Sequence, residues 1–137
     1  MVSFKERHLN LLKFLNTFKK IDSKTKFQKL VFLAKKEYNL DLGYDFKQYN
    51  YGPYSEELSL DIEALKQLGF INVKEEIISN LNENNYPIIR YEFEISDLGK
   101  ELVNNSKSDL NINNNLLSWN KKELRDIISY VYDKYVD

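Results

Sequence analysis

Residues 55–71 read SEELSLDIEALKQLGFI, and this stretch decides the fold. Leu58, Ile62 and Leu65 recur at helical spacing, so the segment is an amphipathic helix from Ser55 to about Leu68. Ser55 is a good N-cap, and Glu56 and Glu57 fall in the first turn, where the helix dipole favours anions. Gly69 is a natural left-handed residue past the helix end, which puts Phe70 where it can pack back on Leu65.

Directly after this helix, Phe70 to Ile78 reads as a strand, and Ser79 to Asn85 as a polar loop. A second strand runs from Ile88 to Ile95, with Ile89, Tyr91, Phe93 and Ile95 on one face and Arg90, Glu92 and Glu94 on the other. The two strands make a hairpin, and Ser96 then caps a short helix, Asp97 to about Val103.

Upstream, Phe4, Leu11, Leu12, Leu15 and Phe18 mark a first helix, about Phe4 to Lys20. Thr25 and Gln28 have capping-box spacing and open a second helix, about Lys26 to Tyr38. Asn39 to Gly43 is a loop, Phe46 to Tyr51 is short and extended, and the turn Tyr51-Gly52-Pro53-Tyr54-Ser55 leads into the third helix. Asn104 to Asn115 is polar and Asn-rich. Asn120 and Glu123 then suggest a cap for a last helix, Lys121 to Tyr135.

Three helices followed directly by a hairpin make an α+β winged helix-turn-helix. The expected division is a winged-helix domain at 1–103, a polar linker at 104–119 and a C-terminal helix at 120–137. That helix carries a stripe of Leu124, Ile127, Ile128, Val131 and Tyr135, which must be covered by the first helix or by a second subunit of a homodimer.

Four stretches of residues carry the resemblances. The exit Tyr91-Glu92-Phe93-Glu94-Ile95-Ser96-Asp97-Leu98-Gly99 is similar to that of MarR- and PadR-type regulators, with Ser96 where those families usually have Thr. Phe27-Gln28-Lys29-Leu30-Val31-Phe32-Leu33, the Tyr51–Ser55 turn and Leu68-Gly69-Phe70-Ile71 together resemble the YwgA-like family of small bacterial and archaeal proteins. They are also similar to the Panacea domain of antitoxins. The resemblance covers about residues 24 to 100. It implies a winged-helix-like fold and a role in regulation or defence, and it does not imply a catalytic activity.

Composition narrows the chemistry. The chain has no cysteine, so thiol nucleophiles, disulfides and cysteine-ligated metals are excluded. His8 is the only histidine, which leaves no His-based triad or His-rich metal site to assemble. The four glycines are scattered, so no glycine-rich phosphate loop forms. No cofactor and no enzyme activity are expected. No stretch reaches the ~20 apolar residues of a membrane span, and the N-terminus lacks a signal-peptide core, so a cytoplasmic protein is expected.

Charge is unevenly placed: residues 1–50 hold 11 Lys/Arg against 5 Asp/Glu, and residues 51–137 hold 9 against 16. The expected nucleic-acid contacts are Lys19, Lys20, Lys24, Lys26 and Lys29 around the turn between the first two helices, with Lys74 and Arg90 in the hairpin. The third helix is acidic on its outward side, at Glu56, Glu57, Asp61 and Glu63, which makes it a poor reader of a DNA groove. Double-stranded DNA is the leading expected partner. The alternative is a protein partner held through Tyr51, Tyr54, Glu56, Glu57 and Asp61.

Overall fold

The computed structural model describes residues 4–50, 52–81, 87–106 and 109–136. In chain order it contains α1 (Glu6–Phe18), β1 (Lys20–Asp22), α2 (Lys24–Glu37), β2 (Lys47–Tyr49), β3 (Gly52–Tyr54), α3 (Glu56–Gln67), β4 (Ile71–Leu81), β5 (Pro87–Ile95), α4 (Asp97–Asn104), α5 (Asn114–Trp119) and α6 (Leu124–Tyr135). The architecture is mixed α+β, with two small antiparallel sheets among the helices. One sheet has the order β1-β5-β4, and the other is the β2-β3 hairpin.

Apart from α5, the helices form where the periodicity places them, and local chemistry sets their ends. Ser55 caps α3, its hydroxyl accepting from the Leu58 N–H at 3.2 Å. At the other end Gly69 has φ +85, the Gly69 N–H donates to the Lys66 carbonyl and the Phe70 N–H donates to the Leu65 carbonyl. This is the double bond pattern of a Schellman motif, and it turns the chain straight into β4.

Ser96 closes the other side of the hairpin. Its hydroxyl accepts from the Gly99 N–H at 3.0 Å and donates to the Gly69 carbonyl at 2.6 Å, tying the start of α4 to the end of α3. Gly99 is required by proximity: a Cβ there would lie 2.4 Å from the Phe70 carbonyl oxygen and 2.7 Å from Ile95.

One core holds the chain together. Leu11, Leu12, Phe14 and Leu15 of α1, Phe27, Leu30 and Leu33 of α2, and Leu58 and Leu65 of α3 are fully buried, with Phe93 and Ile95 of β5 beneath them. Phe27 meets Phe93 edge to face, with ring centroids 5.4 Å apart.

Four expectations change. The chain between α1 and α2 is a strand, β1, whose three residues pair with Glu92–Glu94 of β5. Ser23, not Thr25, caps α2, accepting from the Thr25 and Lys26 N–H groups, which leaves Gln28 free for another partner. Glu123, not Asn120, stands at the N-cap of α6, and the Asn120 amide instead donates to the Lys20 carbonyl at 2.7 Å. The expected linker at 104–119 contains α5 and is docked: Leu116 is fully buried, and Leu110, Ile112, Leu117 and Trp119 pack against the core.

The stripe on α6 is covered by α2, and neither α1 nor a second subunit is needed to bury it. Ile127 and Val131 are fully buried, Leu124, Ile128 and Tyr135 are half-buried, and Tyr135 stacks edge to face on Phe32 of α2. Three α6 groups converge on one carboxylate: Tyr130 and Tyr135 donate to Glu37 at 2.7–2.9 Å, and Lys134 at 3.3 Å. Burial opposes ionisation of Glu37, but these bonds outweigh it and hold its pKa below the usual carboxylate range.

Candidate functional site

The two sequence segments that carry the family resemblance meet in space. Gln28 of α2 is buried, and its side-chain amide clamps the backbone of Ser55. Its Nε2 donates to the Ser55 carbonyl and its Oε1 accepts from the Ser55 N–H, both at 2.8 Å. One residue further on, the Lys29 ammonium donates to the Pro53 carbonyl at 3.0 Å. The Gln-Lys pair therefore fixes β3 and Ser55 to α2 and sets the start of α3. Gly52 has φ +97, a conformation that excludes most side chains, and a Cβ there would stand 3.5 Å from Lys29 Cε.

A groove of about 570 Å³ opens beside this clamp, between the first turns of α2, the β2-β3 hairpin, α3 and the inner end of the β4-β5 hairpin. Tyr49, Tyr54, Leu60, Ile62, Val73 and Tyr91 provide much of its wall. The Tyr49 and Tyr54 rings meet edge to face at 5.2 Å. Leu60 is 63% exposed and Tyr49 49% exposed. Lys24, Lys29 and Lys66 also line the groove, against Glu63 and Glu75.

Lys29 is the unusual member. The residue is 1% exposed, and among the described residues the Pro53 carbonyl is its one hydrogen-bond acceptor, although an ammonium has three protons to place. Burial pulls its pKa down to about 8.

The expected phosphate contacts therefore separate into two sets. Lys26 and Lys29 are buried and face inward, because Lys26 donates to the Asn120 carbonyl at 3.1 Å and Lys29 to Pro53; neither presents its charge to a partner's backbone. Lys19, Lys20 and Lys24 are exposed along one edge. Lys20 pairs with Glu92 at 3.2 Å, and the Lys24 ammonium sits 4.2 Å from the centre of the Tyr91 ring. The bonds from Asn120 to Lys20 and from Lys26 to Asn120 bring the α5-α6 turn to this edge, adding the exposed Lys121 and Lys122. Sequence reasoning missed that addition, since these residues are about a hundred positions away. In the hairpin, Lys74 and Arg90 are exposed, and the strand register sets them opposite Glu92 and Glu76.

The expected partner face changes too. Glu56 and Glu57 are exposed on α3, and Tyr54 is half-buried. Asp61 is buried, contrary to its reading as an outward acid. Its carboxylate accepts from Arg7 at 2.8 Å, from the Tyr44 hydroxyl at 2.7 Å and from His8 Nε2 at 3.1 Å. His8 Nδ1 accepts from the Lys5 N–H at 2.9 Å, so Nε2 carries the proton and both ring nitrogens are used. The helical period did contain this information, because 58, 61, 62 and 65 fall on one face. Tyr51 and the hairpin tip Asn82, Glu83, Asn84 and Asn85 lie outside the described residues.

Among the described residues no helix is long and apolar enough to cross a membrane, and no group of three His, Asp or Glu side chains is placed to hold a metal ion. No family model matches the chain. It is similar to the uncharacterized protein YwgA of Bacillus subtilis (strain 168), with 30% identity over 106 residues, which cover 77% of this chain and 58% of that protein. The chain thus aligns with little more than half the length of that relative.

Proposed function

We propose that the chain is a YwgA-like winged-helix regulatory module that holds the phosphate backbone of duplex DNA and acts by binding, without catalysis. The observation that carries this reading is the placement of an exposed lysine edge beside the β1-β5-β4 sheet. Lys19, Lys20, Lys24, Lys121 and Lys122 come together there from two distant parts of the chain. The order of elements is compatible with it: β1 lies between α1 and α2, the β2-β3 hairpin between α2 and α3, and the β4-β5 hairpin follows α3, with β5 pairing with β1. The use of both nitrogens of His8 in the Asp61 network supports a binding role over a catalytic one.

On this reading α3 does not enter the major groove as a reader. Its exposed side carries Glu56, Glu57 and Glu63; Lys66 is the one basic residue of the helix, and Arg7 of α1 is already paired with Glu57 and Asp61. Contacts through the lysine edge are to phosphates, so binding is salt-sensitive and weakly selective for sequence.

Fluorescence anisotropy with a random-sequence duplex at two salt concentrations tests the proposal. Binding that weakens steeply with salt is expected. The absence of binding at low salt would overturn it in favour of a second reading, a protein partner docked on α3. The exposed Leu60 among the α3 carboxylates favours that second reading.

A further inference from the structure

We propose that the groove between α2, α3 and the β2-β3 hairpin is a binding site for a small aromatic or apolar carboxylate, whose anionic group is taken by the Lys29 ammonium. The proposal does not rest on DNA binding, although Lys24 of the lysine edge also lines this groove.

The size fits. Small-molecule sites commonly enclose about 300–1,000 Å³, are walled mainly by apolar and aromatic side chains and contain a few placed polar groups. This groove measures about 570 Å³ and is walled by three tyrosines, Phe93, Leu60, Ile62 and Val73, which come from five elements. A ligand of one or two fused rings would bury most of its surface there.

The charge fits as well. A lysine buried to 1% exposure, with a single carbonyl acceptor among the described residues, is an incomplete arrangement. Moving an ammonium out of water is costly unless its protons are paired and its charge is balanced. The Pro53 carbonyl satisfies one proton and balances no charge. No carboxylate reaches Lys29 among the described residues: Glu63 and Glu75, the acids that line the groove, make no ion pair with it. The depressed basicity of Lys29 is the consequence of that imbalance. A carboxylate entering the groove would supply the missing acceptor and the missing charge together.

Apolar body and anionic head are both needed, which selects the ligand class. An inorganic anion would leave the tyrosines and Leu60 wet. A neutral aromatic would leave the ammonium as it is. Lys24 and Lys66 also line the groove, but both are exposed, and water already screens them.

The test uses the full chain with 1-naphthoate and its neutral counterpart 1-naphthamide, each titrated by calorimetry at neutral pH. Naphthoate is expected to bind about tenfold or more tightly than the amide, the worth of one charge-assisted bond in a desolvated place. Lys29→Met should bring the two affinities to within about twofold of each other, while a Lys24→Ala/Lys66→Ala variant keeps the preference. Leu60→Arg serves as a second variant that does not touch the core: its side chain is exposed, so the fold is retained, and it should weaken both probes by narrowing the groove. Equal affinity for acid and amide in the wild-type chain would overturn the proposal. So would an acid preference that survives Lys29→Met or is lost with Lys24 and Lys66, unchanged binding in Leu60→Arg, or no binding of either probe at about 5 mM.

Discussion

Raising the pH should stabilise the wild-type chain relative to a Lys29→Met variant, by an amount that follows from the burial of one ammonium. In the unfolded chain Lys29 has its ordinary pKa of 10.5, and in the folded chain burial lowers it to about 8. Below pH 8 both states carry the proton, and the folded state bears the full cost of a buried charge. Between 8 and 10.5 the folded state releases its proton while the unfolded state keeps it. The unfolded state then binds more protons, so stability rises with pH. Above 10.5 both states are neutral and the cost is gone.

The drop of about 2.5 in pKa, at about 1.36 kcal/mol for each, gives about 3 kcal/mol across the window. Methionine has a similar length and does not titrate. Its loss of the bond to Pro53, worth about 1 kcal/mol, offsets the difference by a constant and leaves its slope with pH untouched. The assay is urea unfolding of both chains from neutral pH to above 10, followed by the fluorescence of Trp119. This single tryptophan donates to the Tyr38 hydroxyl and packs on Tyr130. Tyrosine ionisation at high pH is common to both chains and cancels. A difference between the chains that stays flat within about 0.5 kcal/mol over the window would refute the desolvated state of Lys29.

Other perturbations test the joints of the fold. Gly99→Ala should destabilise by about 2 kcal/mol or more, read by thermal unfolding, because its methyl meets the Phe70 carbonyl and Ile95 with no room to shift. Asp61→Asn should cost about 3 kcal/mol in the same assay, since it leaves Arg7 without its buried partner while Tyr44 and His8 lose a charged acceptor. Gln28→Leu should cost about 2 kcal/mol, by leaving the Ser55 N–H and carbonyl buried without partners. Glu37→Gln should loosen α6 and remove part of the stability that the wild type loses as acid pH falls through the lowered pKa of Glu37; amide exchange in α6 reads this directly.

What the sequence made legible was local. The Ser55 cap, the Gly69 turn and the Ser96 cap each depend on residues within four positions of one another, and all three are found as expected. β1 was not legible: three residues that include Lys20 and Asp22 make no alternating pattern, and the strand exists because β5 lies beside it. The Asn content of 104–119 suggests a linker and masks the apolar spacing of Leu110, Ile112 and Leu116, which pack on the core. The inward turn of Lys26 and Lys29 was also hidden. A lysine on a helix reads as exposed, and here the acceptors that draw both ammoniums inward, on Asn120 and Pro53, come from distant segments.

That last point decides how DNA binding must be tested. Truncating Lys26 or Lys29 removes bonds that hold the α5-α6 turn and the Tyr-Gly-Pro turn, so lost binding in those variants would report a damaged fold as readily as a lost phosphate contact. Lys19, Lys24 and Lys121 carry no such burden: all three are exposed, and among the described residues none of the three forms an ion pair. Changing these three to Ala should leave the unfolding free energy within about 1 kcal/mol of the wild type, the exposed contact of Lys24 with the Tyr91 ring being the main loss. If each holds one phosphate, the slope of log K against log salt should fall in magnitude by about 0.9 for each, or nearly 3 in all. A triple variant that stays folded and keeps the wild-type slope would place the DNA elsewhere on the molecule or remove it from the account. The loss of affinity without a change of slope would mean that the lysine edge acts through packing and not through charge.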